Sequence, residues 1–341
     1  MDWEEIAGNW LLVPRHPIAI IHFLGGAFVS AAPQLTYRWL LEQLAKQGYA
    51  IIATPFDSAF DRNAFDHGAI ARSTLLRFES ALEYVQQRRL GGVELPIYGL
   101  GHSLGCKLHL LNNSLFDANR AGNILMAFNN YPAKRAIPFY DQVSQASSLL
   151  DNALQGTRSF LKDNPPKRFN GQKPSSISSF FNRVTEQVSE QVARSIPKEM
   201  TEMAQNVSKD VSQNVSQQWA QLKPDLDAEF KPSPDETQQL IAERYGIEHN
   251  LLIQFKTDDI DQTSILNQTL STQFSDQTIL KQLPGNHLTP IGQEINWSAG
   301  RDFSPIDAVG QFVKQGAYQE LRYLRSTVLD WLSHHRSRDN G

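Results

Sequence analysis

The chain has a single cysteine, Cys106, in 341 residues. An intramolecular disulfide framework and a cysteine-based zinc site are therefore excluded, and the composition suits a reducing compartment. Basic charge is scarce too: 32 Lys and Arg against 36 Asp and Glu leave a formal net charge of -4. That balance excludes a generally basic nucleic-acid binder. Long apolar runs are also missing. The most apolar stretch, Pro17 to Pro33, is broken by His22, Gly25 and Gly26 and falls short of the roughly 20 residues that span a bilayer. The acidic start Met1-Asp2-Trp3-Glu4-Glu5 lacks the basic segment that opens a signal peptide. The expectation is a cytoplasmic protein with no transmembrane segment and no nucleic-acid partner. Apolar residues as such are not scarce: at 40% of the chain they suffice for a sizeable core.

The first third alternates short apolar runs with amphipathic segments, the pattern of βαβ units and a parallel sheet. Ile18–Ile21 is a continuous apolar run, as in a strand buried on both faces. Leu35 to Gln47 reads as a helix stopped by Gly48, and Tyr49–Ala53 as the next strand. Ser73 to Arg88 gives a helix with Leu76, Phe78, Leu82 and Val85 at helical spacing. Pro96–Leu100 is a strand running straight into Gly101-His102-Ser103-Leu104-Gly105, followed by a helix over Lys107–Asn113 and a strand over Ile124–Phe128.

Composition then shifts. From about Ala133 to Phe230 the chain is rich in Ser, Gln, Asn and Lys and shows no convincing strand. Val184, Val188 and Val192 recur every four residues, as do Val207, Val211, Val215 and Trp219, so two amphipathic helices with narrow apolar stripes are expected. They are expected to form a cap, packing on the core or on each other; peripheral membrane contact through it is weakened by Glu186, Glu190, Glu199, Glu202 and Asp210. The α/β pattern returns with a helix opened at Ser233–Thr237, a strand over Asn250–Phe255, a short strand at Ile279–Leu280, and a closing helix striped by Leu321, Leu324, Val328 and Trp331. Residues 1–132 with 231–341 then suit one α/β domain of roughly 200–250 residues, interrupted by a cap at 133–230.

Gly101-x-Ser103-x-Gly105 is the central chemical signal. A serine hydroxyl attacks a carbonyl only when it is exposed, oriented and paired with a base. A sharp strand-to-helix turn meets the first two needs, and flanking glycines let strand and helix close around it. Nine histidines are available as base. His102 lies inside the turn, His109 on the following helix, and His334 and His335 in a polar tail. His287, in a late Gly-Asn-His loop, has the position a general base needs. The acid that orients it should follow a strand lying between them in sequence, and Asp258, Asp259 and Asp261 all do. Asp258 comes first, with Asp259 and Asp261 as alternatives. Two backbone N–H groups should meet the oxyanion: Leu104, after the nucleophile, and Leu24, in the loop His22–Gly26, with Phe23 and Gly25 as alternatives. Phe23, His102 and Phe28 are expected pocket residues, and Phe180, Phe181, Met200, Met203 and Trp219 of the cap supply further apolar surface. No metal or cofactor is expected.

The His22–Gly26 loop, Gly-His-Ser-Leu-Gly, the Asp cluster after the strand and the late Gly-Asn-His loop together resemble the α/β-hydrolase superfamily. The runs Gly-His-Ser-Leu-Gly-Cys-Lys, Asp-Asp-Ile-Asp-Gln-Thr and Gly-Asn-His-Leu-Thr-Pro more closely resemble the DUF1350 family, a hydrolase-like group from cyanobacteria and plant plastids. The resemblance spans nearly the whole chain outside the cap. It implies an α/β-hydrolase fold, a mostly parallel sheet with helices on both faces and an inserted helical cap. It also implies a triad of Ser103, Asp258 and His287. Where the superfamily carries His-Gly after the early strand, this chain has His22-Phe23. The expected activity is cleavage of an acyl ester or thioester, the substrate being a small, lipid-like acyl compound. An acyltransferase would use the same residues. The reading from a different class is a hydrolase-fold protein that binds a ligand or partner without turnover.

Overall fold

The computed structural model describes residues 1–27, 29–56, 65–133, 229–292 and 319–335. Eight strands form one sheet in the order β1-β2-β4-β3-β5-β6-β7-β8. They are β1 (Glu4–Ile6), β2 (Asn9–Leu12), β3 (Ala19–Leu24), β4 (Tyr49–Ala53), β5 (Ile97–His102), β6 (Gly122–Met126), β7 (Asn250–Phe255) and β8 (Thr278–Leu283). The β1–β2 and β2–β4 pairs are antiparallel and all others parallel. The helices are α1 (Pro33–Thr36), α2 (Arg38–Ala45), α3 (His67–Arg88), α4 (Leu104–Leu115), α5 (Pro234–Arg244) and α6 (Thr263–Gln273), and α7 over residues 319–335. This is the α/β-hydrolase fold.

Strand alternation builds two apolar layers. Ile21, Phe23, Ile51 and Leu100 pack with Leu40, Leu41 and Leu44 of α2 and with Leu324, Val328 and Trp331 of α7. Ile20, Ala50 and Ile52 face the other way, onto Leu75, Phe78, Ala81 and Val85 of α3. Each inner strand thus buries both faces, which is why β3, β4 and β6 read as near-continuous apolar runs. α5 opens on a capping box, Ser233 with Glu236, which matches the start expected at Ser233.

Some elements differ from expectation. The hairpin β1–β2 is short and carries polar residues, so it shows no apolar run. The segment 35–47 breaks at Tyr37 into α1 and α2. α3 starts at His67, capped by the Asp66 carboxylate, and its buried stripe runs through Leu75 rather than Leu76, which is 54% exposed. α6 was not expected; it carries Thr and Gln at most outward positions and buries only Thr263, Leu266 and Leu270.

The chain divides into two compact units, Met1–Tyr131 with Phe230–Gly341, and Pro132–Glu229. The expected cap helices, and Phe180, Phe181, Met200, Met203 and Trp219, lie outside the described residues, as does Phe28. Among the described residues no helix is long and apolar enough to cross a membrane.

Candidate active site

The sheet aims its carboxyl ends at one edge, and Ser103 stands there between β5 and α4. Its backbone takes φ 55 and ψ −119, a left-handed conformation costing roughly 1–2 kcal/mol for a residue with a Cβ. The strain persists because neighbours hold it: Ser103 N–H donates to Met126 O at 2.9 Å, and Cys106 N–H donates to Ser103 O at 3.0 Å. Both flanking glycines are sterically required. A Cβ at Gly101 would lie 2.8 Å from Cys106 N, and one at Gly105 would lie 2.1 Å from Leu24 O. The motif therefore lets α4 approach both its own strand and the end of β3.

His287 Nε2 is 3.0 Å from Ser103 Oγ, across 184 residues of sequence. Its Nδ1 is 2.8 Å from Asp258 Oδ2, and the Asp258 side chain is fully buried. Parallel pairing of β7 with β8 brings the two loops together: Thr257 N–H and Oγ1–H both donate to Gly285 O, at 3.0 and 2.7 Å. Gly285 needs to be glycine, since its φ is 117 and a Cβ would sit 2.3 Å from Thr289 Oγ1. The second Asp258 oxygen accepts from Ile260 N–H. Asp259 is exposed. Asp261 accepts from Thr263 N–H, and burial pushes its carboxyl up to about 6 despite that bond. Asp258 is thus the carboxylate on the imidazole, and the line Oγ–H to Nε2, Nδ1–H to Oδ2 can move the serine proton onto the ring.

His102 faces inward rather than lining a pocket. Gly26 N–H donates to Tyr37 Oη at 2.7 Å, and Oη is 2.7 Å from His102 Nδ1. The phenol, kept protonated by burial, has one proton, which goes to Nδ1. That leaves a proton on Nε2, which donates to His287 O at 2.8 Å. Burial holds the His102 ring neutral. The chain Gly26–Tyr37–His102–His287 therefore ties the turn after β3 to the loop bearing His287. Phe23 is likewise a core residue, with no exposure, packed edge-on to Tyr37 at 4.6 Å.

Leu104 N–H opens α4 and has no partner among the described residues, as an anion-facing donor should. Leu24 does not fit the second donor position. Ile20 N–H donates to Pro96 O, and alternate residues of a parallel strand turn their N–H groups to the same neighbour. By the register Leu24↔Gly101, Leu24 N–H therefore belongs to the β3–β5 ladder. Gly26 N–H is already given to Tyr37 Oη, so the candidates are the Gly25 and Ala27 N–H groups of this turn, where Gly26 Cα lies close enough to the elbow that a Cβ would be 3.2 Å from Ser103 Cβ.

One contact had no counterpart in the sequence reading. Asn129 Nδ2 donates to Ser103 Oγ at 3.0 Å. The only signal was the pair Asn129-Asn130 just past a strand end, which ordinary turn preference explains equally well.

A family model described as "Protein of unknown function (DUF1350)" matches residues 2–171 and 196–334. A comparison with curated proteins finds no match. Among solved structures, the chain is similar to a thioesterase domain from the curacin biosynthetic pathway, at 14% identity over 92% of this chain and 97% of that one, with a TM-score of 0.40. It is similar to a lipase in its open form, at 12% identity over 96% and 94%, with a TM-score of 0.47. A thermostable carboxyl esterase from Bacillus coagulans in complex with glycerol aligns at 14% identity over 81% and 85%, with a TM-score of 0.42.

Proposed function

This chain belongs to the DUF1350 family and has the α/β-hydrolase fold, and we propose that it is a serine hydrolase cleaving an acyl ester or thioester. The observation that carries the proposal is the unbroken line of Ser103 Oγ, His287 and buried Asp258, with spacings of 3.0 and 2.8 Å. Ser103 Oγ attacks the carbonyl carbon while its proton passes to His287 Nε2. Asp258 holds Nδ1–H toward itself and stabilises the imidazolium that forms. The tetrahedral oxyanion is met by Leu104 N–H and by the N–H of Gly25 or Ala27. Collapse breaks the bond to the leaving alcohol or thiol, which takes the proton from Nε2. A water then gives a proton to Nε2 and attacks the acyl-enzyme, and Oγ leaves with that proton restored.

A fluorophosphonate probe tests the proposal. The wild type is expected to form one covalent adduct per chain and Ser103→Ala none. An unlabelled wild type, or equal labelling of Ser103→Ala, would overturn the proposal. With labelling in hand, a panel of acyl esters and thioesters of increasing chain length defines the substrate.

A further inference from the structure

The turn after β6 is built with more constraint than a connection needs. Ala127 takes φ 53, a left-handed conformation that a residue with a Cβ avoids unless its surroundings impose it. The surroundings do so from both sides. Ala127 N–H donates to Ile253 O at 2.8 Å, and Gln262 N–H donates to Phe128 O at 2.7 Å. Phe128 N–H donates to Thr263 Oγ1, and Asn130 N–H to Gln262 Oε1. The backbone on either side of Asn129 is thus clamped by the start of α6, the same segment that follows the Asp258 loop. What this clamping delivers is one side chain: Asn129, with Nδ2 3.0 Å from Ser103 Oγ.

An amide nitrogen only donates, so Oγ is the acceptor. The serine proton is thereby left for His287 Nε2, 3.0 Å away. We propose that Asn129 is a further catalytic residue of this site, a fixed donor to the nucleophile oxygen that acts chiefly when Oγ is the leaving group. The assignment rests on the serine-hydrolase reading above.

The chemistry separates the two half-reactions. In the free enzyme the Asn129 bond is already made to a hydroxyl, so attack on the first substrate gains little from it. In the acyl-enzyme Oγ is an ester oxygen, a poorer acceptor. As the second tetrahedral intermediate collapses, the bond between the acyl carbon and Oγ breaks and its electron pair goes to Oγ. His287 Nε2 returns a proton there. A fixed donor stabilises that charge more than it stabilises the ester, and only such a difference speeds the step.

The test compares wild type with Asn129→Ala and the isosteric Asn129→Asp. The fluorophosphonate labelling rate reads the reactivity of free Ser103. The burst and steady-state rates with p-nitrophenyl acetate, and the acyl-enzyme fraction by mass spectrometry, read deacylation. The expected result is a turnover about 10- to 100-fold lower in both variants, with labelling within about threefold of wild type and acyl-enzyme accumulating to most of the protein. Turnover within about twofold of wild type in both would overturn the assignment. So would turnover and labelling falling in parallel, the mark of a merely misplaced serine. A wild type that neither labels nor turns over sinks the hydrolase reading and this assignment with it, whereas a wild type that does both isolates Asn129.

Discussion

His287 and the pair His22–His109 are the same side chain in opposite settings. His287 stands at the carboxyl ends of the strands with 12% of its side chain open, a carboxylate on one nitrogen and a hydroxyl on the other. His22, on β3, and His109, on the inner face of α4, have no exposure. His22 Nε2 meets Thr54 Oγ1, whose own proton goes to Asn9 Oδ1, so Nε2 carries the ring's proton. Nδ1 then accepts from Arg120 Nη2 at 3.1 Å, and the ring stacks on Phe78 at 4.0 Å. Burial and the neighbouring His109 and Arg120 hold His22 well below its ordinary value, and burial with Arg120 brings His109 down to about 3. Beside a guanidinium and away from water a histidine stays neutral and serves as packing, whereas His287 has a carboxylate on its far nitrogen and a hydroxyl on the near one.

Replacing the carboxylate removes what distinguishes His287 from the buried pair. Asp258→Asn is expected to lower kcat by about 10⁴-fold, because the ring loses its orienting partner. Asp259→Asn and Asp261→Asn should stay within about threefold of wild type. A large loss at Asp261 and none at Asp258, measured on the same ester, would reverse the assignment.

Acid unfolding tests the other half. A histidine held neutral in the fold but free to protonate near 6.5 when unfolded contributes stability at neutral pH. That stability is lost as pH falls below 6.5, because the unfolded chain then binds the extra proton. Each of His22 and His109 is expected to account for about 2 kcal/mol lost between pH 7 and pH 5. In His109→Gln, denaturant midpoints at the two pH values should draw closer together than in wild type. An unchanged gap would mean that His109 titrates normally.

A further effect concerns the link between His287 and the turn after β3. Tyr37→Phe leaves Gly26 N–H and His102 Nδ1 buried without their shared partner. A stability loss of about 1–3 kcal/mol should follow, with turnover roughly tenfold lower and KM little changed. A variant that is destabilised but turns over normally would make the chain a fold support and nothing more.

Much of the site is legible in the sequence. The elbow is contiguous, so its strand, turn and helix are all visible within Ile97–Leu115. His287 stood out because its rivals were placed inside the elbow, on the following helix or in the tail. Asp258 could be ranked first only by proximity to β7. Leu24 is not available to an oxyanion because the strand runs through His22 as far as Leu24, and strand N–H groups pair with a neighbour. Phe23 and His102 resembled pocket walls because a residue beside a nucleophile can turn either way, and both turned inward onto Tyr37.

The alternating pattern, the elbow and the order of serine, acid and histidine are all written in the linear chain. These depend on sterics and on apolar periodicity within a few residues, and a linear string carries both. Only the tertiary structure decided which carboxylate meets the imidazole, which amides are free to face an anion, and that Asn129 touches Oγ. Each of those is a hydrogen bond between segments distant in the chain, set to within a few tenths of an ångström by how strands register and helices pack. No local pattern encodes a distance of that kind.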